Sequence, residues 1–228
     1  MKNTKKVLLG GVAALALVGT SVFGTYMYLQ STTGTVKNTF TVGNVKITLD
    51  EENVDKSGMD DQGNYPARDT ENAYHIFPGI NYKKDPTVHV DNGNEDAYIF
   101  VEVVNGISNL EANNGHKLRD EDGRGVDGET YATIAIQMTT NHWIALGEGY
   151  PNIYVYDNDD RVETTGTIVN KDAGDLAVFS NFQIKDDLPN ATNLTSDNDV
   201  KVKAFAVQAK GFASAEEAWN AANFNTGF

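Results

Sequence analysis

Apolar and polar residues alternate along most of this chain. In residues 39–49 the apolar positions are Phe40, Val42, Val45, Ile47 and Leu49, and the two-residue rhythm is interrupted at Gly43-Asn44. Such a pattern is typical of a strand with a bulge or bend. Comparable runs rich in Val, Ile, Thr, Tyr and Phe occur at residues 87–90, 98–104, 131–138, 143–146, 153–156, 166–169, 176–184 and 200–208. The pattern predicts about nine short strands.

Helical periodicity is confined to the C-terminal end. Ser214 and Glu217 have the spacing of a capping box ahead of Ala218 and Trp219, which predicts a short helix within residues 213–228. Clusters of Asn, Asp and Gly separate the strand runs, and no helix is expected between them. We therefore predict an all-β chain: a single antiparallel β-sandwich over residues 39–212, followed by the helix.

Two polar tracts interrupt the strand pattern. Residues 50–72 and 111–129 contain few apolar positions and several Asp and Gly residues. We interpret both as long surface excursions from one core, and the sequence shows no domain boundary and no internal repeat.

The N-terminus has the form of an export signal. Lys2, Lys5 and Lys6 precede an uncharged, apolar stretch at residues 7–23, so residues 1–27 are predicted to be a signal peptide. An uncleaved membrane anchor is the competing interpretation, because no charge appears until Lys37. Cleavage would leave a flexible segment at residues 28–38 and no stable membrane anchor.

Charge and composition exclude several classes of function. The chain has 18 Lys and Arg against 32 Asp and Glu, and removing the three lysines of the signal leaves 15 against 32, a net charge of −17. Nucleic acids and anionic membranes need a basic surface, so neither is an expected partner. The absence of cysteine excludes disulfides, thiolate metal sites and cysteine nucleophiles.

The signal and the first strand carry a family resemblance. The run Gly24-Thr-Tyr-Met-Tyr28 is followed by a strand of the form F-x-x-G-x-(V/L)-x-(I/L), in which Phe40, Gly43, Val45 and Ile47 match and Val42 lies within the same motif. The stretches at 78–88 and 200–219 match as well. The chain resembles the TasA and camelysin family of matrix proteins, which the dedicated SipW-type signal peptidase processes.

This resemblance implies a biological setting. The family contains secreted, jelly-roll-like proteins of the extracellular biofilm matrix or cell surface of Gram-positive bacteria. The implied partners are further copies of the chain or co-secreted fibre subunits, and the dedicated signal peptidase during export. The resemblance therefore implies a structural or accessory subunit of matrix fibres.

The N-terminal segment is the predicted assembly strand. It is polar, and we expect it not to fold against its own core. An extended peptide of this kind can pair with an exposed sheet edge of a neighbouring subunit. The residues predicted to be donated in this way are Tyr28, Leu29, Gln30, Ser31, Thr32, Thr33 and Val36.

Catalytic chemistry has little support in the sequence. Some members of the family are labelled metallopeptidases, but the four histidines, His75, His89, His116 and His142, form no H-E-x-x-H motif. His89 lies between Val88 and Val90 and is expected on the opposite, solvated face of its strand. We predict that the chain is not an enzyme, with a zinc metallopeptidase as the third alternative.

A monomeric surface-binding module is the second alternative. Asp120, Asp122 and Asp127 group oxygen ligands suited to calcium, but they lack the order of an EF-hand, so a solvated turn is the competing interpretation. No other cofactor is predicted. Tyr150, Tyr154, Tyr156 and Trp143 could form a face for a glycan or a protein, or pack in the core, and two-residue periodicity does not decide between these.

Overall fold

The computed structural model describes residues 29–32, 45–91, 95–158, 166–169, 173–188 and 198–228. The predicted signal peptide lies outside these residues. So do three residues of the family motif and three of the predicted assembly strand, namely Phe40, Val42, Gly43, Tyr28, Thr33 and Val36.

The described residues form thirteen strands and two helices. In chain order these are β1 (Leu29–Thr32), β2 (Lys46–Glu52), β3 (Arg68–Asp69), β4 (Asn81–Lys83), β5 (Thr87–Asp91), β6 (Ala97–Asn105), β7 (Lys117–Arg119), β8 (Gly125–Thr130), α1 (Ile134–Thr140), β9 (Trp143–Ala145), β10 (Ile153–Tyr156), β11 (Gly174–Ala177), β12 (Asn181–Gln183), β13 (Val200–Gln208) and α2 (Ala215–Ala222).

The strands form several antiparallel sheets. A five-stranded sheet has the order β1-β13-β6-β10-β9, and a four-stranded sheet has the order β11-β5-β2-β3. Two smaller sheets pair β12 with β4 and β7 with β8. The prediction of a mainly β chain with a short C-terminal helix is confirmed.

The first hydrophobic core draws on both large sheets. Its buried members include Ile99, Val101, Val103, Val202, Ala204 and Ala206 from the five-stranded sheet, and Ile47, Leu49, Val88 and Leu176 from the four-stranded sheet. Val45 and Ile47, which belong to the family motif, are both buried here. Alternate residues of β2, β6 and β13 thus face one shared interior.

A second core lies on the other face of the five-stranded sheet. Phe100 of β6 and Phe205 of β13 pack there against Trp219 of α2, with ring centroids 5.0 and 5.3 Å from the indole. The central strands β6 and β13 are therefore buried on both faces. This explains the consecutive apolar residues at 97–101 in β6 and at 204–207 in β13.

The predicted capping box is present at the N-terminus of α2. Ser214 Oγ accepts a hydrogen bond from the backbone N–H of Glu217 at 3.2 Å, and Glu217 Oε2 accepts from the backbone N–H of Ala213 at 2.8 Å. Asn223 follows the helix in the left-handed conformation, with φ of 49°. The first end of the helix is thus defined by side-chain caps and the last by the backbone conformation of Asn223.

The strand predicted at residues 131–138 is wrong, because Ile134–Thr140 form the helix α1. Ile134, Gln137 and Met138 are its buried residues, and this spacing is helical. A short apolar run of this kind is also compatible with a strand. The Gln137 side chain fixes the helix in place, since its Nε2 donates to the carbonyls of Ala132 and Asn181 and its Oε1 accepts from Ser180 N.

Other predicted elements have different bounds. The run at 176–184 is divided between β11 and β12, which belong to different sheets. The run at 166–169 contributes a single bridge, between Val169 and Ala97. The polar tracts at 50–72 and 111–129 contain the short strands β3, β7 and most of β8, which hydrophobic periodicity does not detect.

Replacing Trp219 with alanine is expected to lower the free energy of unfolding by about 3–5 kcal/mol, because the indole fills the second core. Urea denaturation of the mature protein measures the loss. Lys210→Ala, at an exposed site beyond β13, is the control and should change stability little. An equal effect of the two substitutions would contradict the assignment of the second core.

Candidate functional site

The outer edge of β13 is occupied by the N-terminal segment of the same chain. β1 pairs antiparallel with β13, so that Leu29 lies opposite Ala206 and Thr32 lies opposite Lys203. The other edge of β13 pairs with β6 over all nine residues of each strand. The four described residues of the predicted assembly strand therefore close a sheet edge. This differs from the expectation that the segment would not fold against its own core.

A charged pair lies on β6 and β13 beside this edge. Glu102 and Lys203 face each other in the strand register, and both are buried. The Glu102 carboxylate accepts the backbone N–H of Gly227 at 2.8 and 3.1 Å, and Lys203 Nζ donates to the Gly227 carbonyl. Lys203 Nζ also lies 4.4 Å from the centre of the Phe228 ring.

This pair holds the C-terminal residues against the sheet. Because each charge has a hydrogen-bonding partner, the pair can be buried without an uncompensated ion. Lys203 is also the register partner of Thr32. The position of the β13 edge thus depends on the N-terminal segment, the central sheet and the C-terminal residues together.

A second polar cluster joins all four strands of the four-stranded sheet. His89 of β5 contacts Asp175 of β11 through Nδ1 at 2.6 Å, and Asp50 of β2 through Nε2 at 2.8 Å. Arg68 of β3 also binds Asp50 through Nε, and its NH1 lies 3.3 Å from Asp85. His89 is thus on the polar face of its strand, but its side chain is only 22% exposed and is paired on both sides.

The two carboxylates determine the charge state of His89. Burial lowers the pKa of the imidazole, but the hydrogen bonds to Asp50 and Asp175 and the negative charges of both outweigh it, so the pKa is raised above 6.5. The protonated ring can donate to both carboxylates at once. Sequence patterns could not reveal this contact, because the three residues come from strands distant in the chain.

The predicted calcium ligands have separate local partners. Asp120 Oδ1 accepts the backbone N–H groups of Asp122 and Arg124 at 3.0 and 2.7 Å, which closes a turn. Asp122 pairs with the Arg124 guanidinium, and Asp127 lies 3.4 Å from Lys117 Nζ. An ion bound by all three carboxylates would have to replace these contacts.

The other histidines lie apart from one another. His116 Nε2 is 3.4 Å from Asp186, which also binds Arg119. The His75 ring is near Phe77 and the His142 ring is near Tyr156. In the part of the chain that the structure describes, no three His, Asp or Glu side chains are grouped so as to hold a metal ion.

The aromatic side chains pack in the two cores. Tyr154 and Tyr156 of β10 lie against the first core. Ile153 and Val155, which alternate with them along the strand, belong to the second core. Trp143 is buried, and its Nε1 donates to the Ala177 carbonyl at 2.8 Å. Tyr150 lies against the second core, and its hydroxyl contacts Glu216 and Asn220 of α2. These residues do not form a shared exposed face.

Comparison of the chain with protein-family models, curated proteins and solved structures finds no match. Among the described residues, no helix has both the length and the apolar character to cross a membrane. The candidate site therefore rests on its own geometry: a sheet edge covered by an N-terminal strand, with charged clusters on both large sheets.

His89→Gln is expected to destabilise the protein more in acid than in alkali. A raised pKa means that the contribution of His89 is complete below about pH 6.5 and is lost as the pH rises through the higher folded value. We expect a loss of about 1–3 kcal/mol at low pH, as for hydrogen bonds to charged groups. Urea unfolding at several pH values measures it.

The matched control is His75→Gln, at an exposed position. It should show no comparable difference between acid and alkaline solution. A pH-independent effect of His89→Gln would contradict the pairing of a charged imidazole with Asp50 and Asp175.

Proposed function

We propose that this chain is a secreted structural or accessory subunit of extracellular matrix fibres in a Gram-positive bacterium. It is a jelly-roll-like β-sandwich that polymerises by donating its N-terminal strand to a neighbour. The observation that carries the proposal is the pairing of β1 with the outer edge of β13. A strand that closes this edge within one chain has the sequence and register needed to close the same edge of another copy.

The first core, which both large sheets share, supports the proposed sandwich architecture. Two antiparallel sheets contribute alternate residues to one interior, and α2 covers the outer face of one of them. In such an arrangement an edge strand must be covered, because its unpaired backbone groups otherwise attract other chains. The edge of β13 is therefore the natural place for regulated pairing.

Exchange of β1 between subunits conserves contacts. Residues 33–45 connect β1 to β2, and among the described strands β1 is paired with β13 alone, so its release breaks no other described ladder. The same four backbone pairs then form between copies. Since the donor strand and the acceptor edge are different surfaces, the contact is head-to-tail and extends into a fibre unless it closes into a ring.

Processing and charge would control this exchange. β1 begins directly beyond the cleavage expected after residue 27, so an uncleaved or N-terminally blocked chain has a hindered donor strand. The net charge of −17 opposes close packing of subunits, and salt or acid weakens that repulsion. We therefore expect the mature chain to polymerise most readily at high ionic strength or low pH.

A cysteine pair at Ser31 and Ala204 tests strand donation. These residues are Cα partners, and facing residues of antiparallel strands are about 4.5–5.5 Å apart, within the range of a disulfide. The chain has no other cysteine. Oxidation of S31C/A204C after polymerisation should give a ladder of covalent oligomers on a non-reducing gel. Oxidation of the monomer should lock β1 in place and block polymerisation until reduction.

The single variants Ser31→Cys and Ala204→Cys are the controls, since each can link at most two chains. A chain without residues 28–38 should not polymerise. Fibres from a double variant that was oxidised as the monomer, or equal polymerisation without residues 28–38, would contradict strand donation. Failure of the mature chain to polymerise in any salt or pH, alone or with a co-secreted partner, would favour the surface-binding alternative.

A further inference from the structure

Three side chains from separate parts of the chain meet in a cleft of about 790 Å³. Glu51 is near the end of β2, Asn72 follows β3, and Lys84 follows β4. Lys84 Nζ lies 2.6 Å from Glu51 Oε2, and Asn72 Nδ2 lies 2.9 Å from Glu51 Oε1. One carboxylate therefore contacts both an amine and a side-chain amide.

The Asn72 amide is held by backbone groups on both sides. Its Oδ1 accepts the backbone N–H groups of Val54 at 2.8 Å and Asp55 at 3.3 Å. Its Nδ2 also donates to the Glu52 carbonyl at 2.8 Å. Two N–H donors on a carbonyl oxygen polarise the carbonyl and stabilise negative charge that develops there, as in an oxyanion hole.

Aromatic rings shield this cluster. The side chains of Lys84 and Glu51 are only 11% and 6% exposed. Lys84 Nζ lies 5.6 Å from the centre of the Tyr74 ring, which packs edge-on against Phe182 at 5.3 Å. Burial, followed by the negative charges of Glu51, Asp85 and Asp55, raises the pKa of Tyr74, so its hydroxyl stays protonated and donates to the Lys83 carbonyl.

We propose that Lys84 and Asn72 are joined by an intramolecular isopeptide bond, with Glu51 as the general acid and base. The cluster has the three components that the reaction needs: a nucleophilic amine, a polarised amide, and a carboxylate in contact with both. The bond would form without a cofactor or an external enzyme, and it is independent of the function proposed above.

The reaction balances within the cluster. Glu51 accepts a proton from the Lys84 ammonium, and the neutral amine attacks Cγ of Asn72 to form a C–N bond. The oxygen of the tetrahedral intermediate is stabilised by the N–H groups of Val54 and Asp55. Glu51 then transfers a proton to Nδ2, the Cγ–Nδ2 bond breaks, and ammonia leaves. The nitrogen of Lys84 loses its remaining extra proton, so the products are a secondary amide and an ammonium ion.

The neighbouring lysine provides an internal comparison. Lys83 pairs with the Glu52 carboxylate, and these side chains are 53% and 45% exposed. Asn72 contacts the backbone oxygen of Glu52, whereas it contacts the carboxylate of Glu51. Lys83 is thus a matched lysine beside a carboxylate, but without the amide and without the shielding.

Mass spectrometry of the folded, mature protein tests the bond. Its formation lowers the mass by about 17 Da, the mass of one ammonia molecule. Trypsin should cleave after Arg68 and Lys83 but not after Lys84. Residues 69–83 should therefore be recovered linked to residues 84–117, as one branched peptide whose fragments place the link at Asn72 and Lys84.

Glu51→Gln, Lys84→Arg and Asn72→Ala should each abolish the branched peptide and the loss of mass. The control variants Glu52→Gln and Lys83→Arg should retain the link between Asn72 and Lys84. Because trypsin cleaves after Arg as well as Lys, Lys83→Arg leaves the tryptic cleavage pattern unchanged. Circular dichroism identifies any variant that does not fold. Because the parent protein alone gives a decisive result, misfolding of one variant does not prevent the test.

The proposal would be overturned if the folded parent had the mass calculated from its sequence, without the loss of ammonia, and if trypsin cleaved after Lys84. Glu51 and Lys84 would then be a buried ion pair. Retention of the link in Glu51→Gln would overturn the role of Glu51 as the general acid and base. Neither result bears on polymerisation through β1, so the two proposals fail separately.

Discussion

The structure depends on one antiparallel ladder, the pairing of β6 with β13. The ladder runs from Ala97 opposite Gln208 to Asn105 opposite Val200. Every other part of the five-stranded sheet is attached to it: β10 pairs with the outer edge of β6, and β1 pairs with the outer edge of β13. One face of the ladder lines the first core and the other receives α2. Most residues of β6 and β13 are therefore buried, and only the ends of the ladder are partly exposed.

Several cations of this acidic chain lie beside carboxylates that are buried or partly buried. Arg68 binds Asp50 and Asp85, Lys84 binds Glu51, and Lys203 lies opposite Glu102 in the central ladder. His89 adds a cation between Asp50 and Asp175 when it is protonated. These contacts join strands that are far apart in the chain. The excess of negative charge of the whole chain opposes the close approach of other copies of it.

Sequence patterns predicted the elements whose signals are local. The strands at 153–156 and 200–208 and the helix after Ser214 have the expected bounds, because periodicity and capping are encoded by neighbouring residues. The helix α1 was missed because Ile134, Ile136 and Met138 alternate as the apolar residues of a strand do, whereas the buried residues are Ile134, Gln137 and Met138, which have helical spacing. The pairing of β1 with β13 was not predicted, since it joins residues more than 170 positions apart and short polar strands carry no register signal. The cluster of Glu51, Asn72 and Lys84 was missed because its members come from separate parts of the chain and their spacing matches no known motif.

A fibre built by strand donation places particular demands on its subunit. Tension would enter through the donated β1, pass through residues 33–45 into β2, and leave through the β13 edge that accepts the next strand. The first core joins β2 to β13 by side-chain packing alone, and packing yields when strands are pulled apart.

Glu51 lies near the end of β2, and a covalent link from Asn72 to Lys84 would tie the excursion after β2 to the segment that leads into β5, the register partner of β2. A covalent bond at that point resists extension of residues 73–83, so the load would remain on the β2–β5 ladder, whose hydrogen bonds share it along the strand. In such a fibre the noncovalent sheet edge and the proposed covalent link would have complementary roles: the edge would open for subunits to join, and the link would stay closed once they had joined.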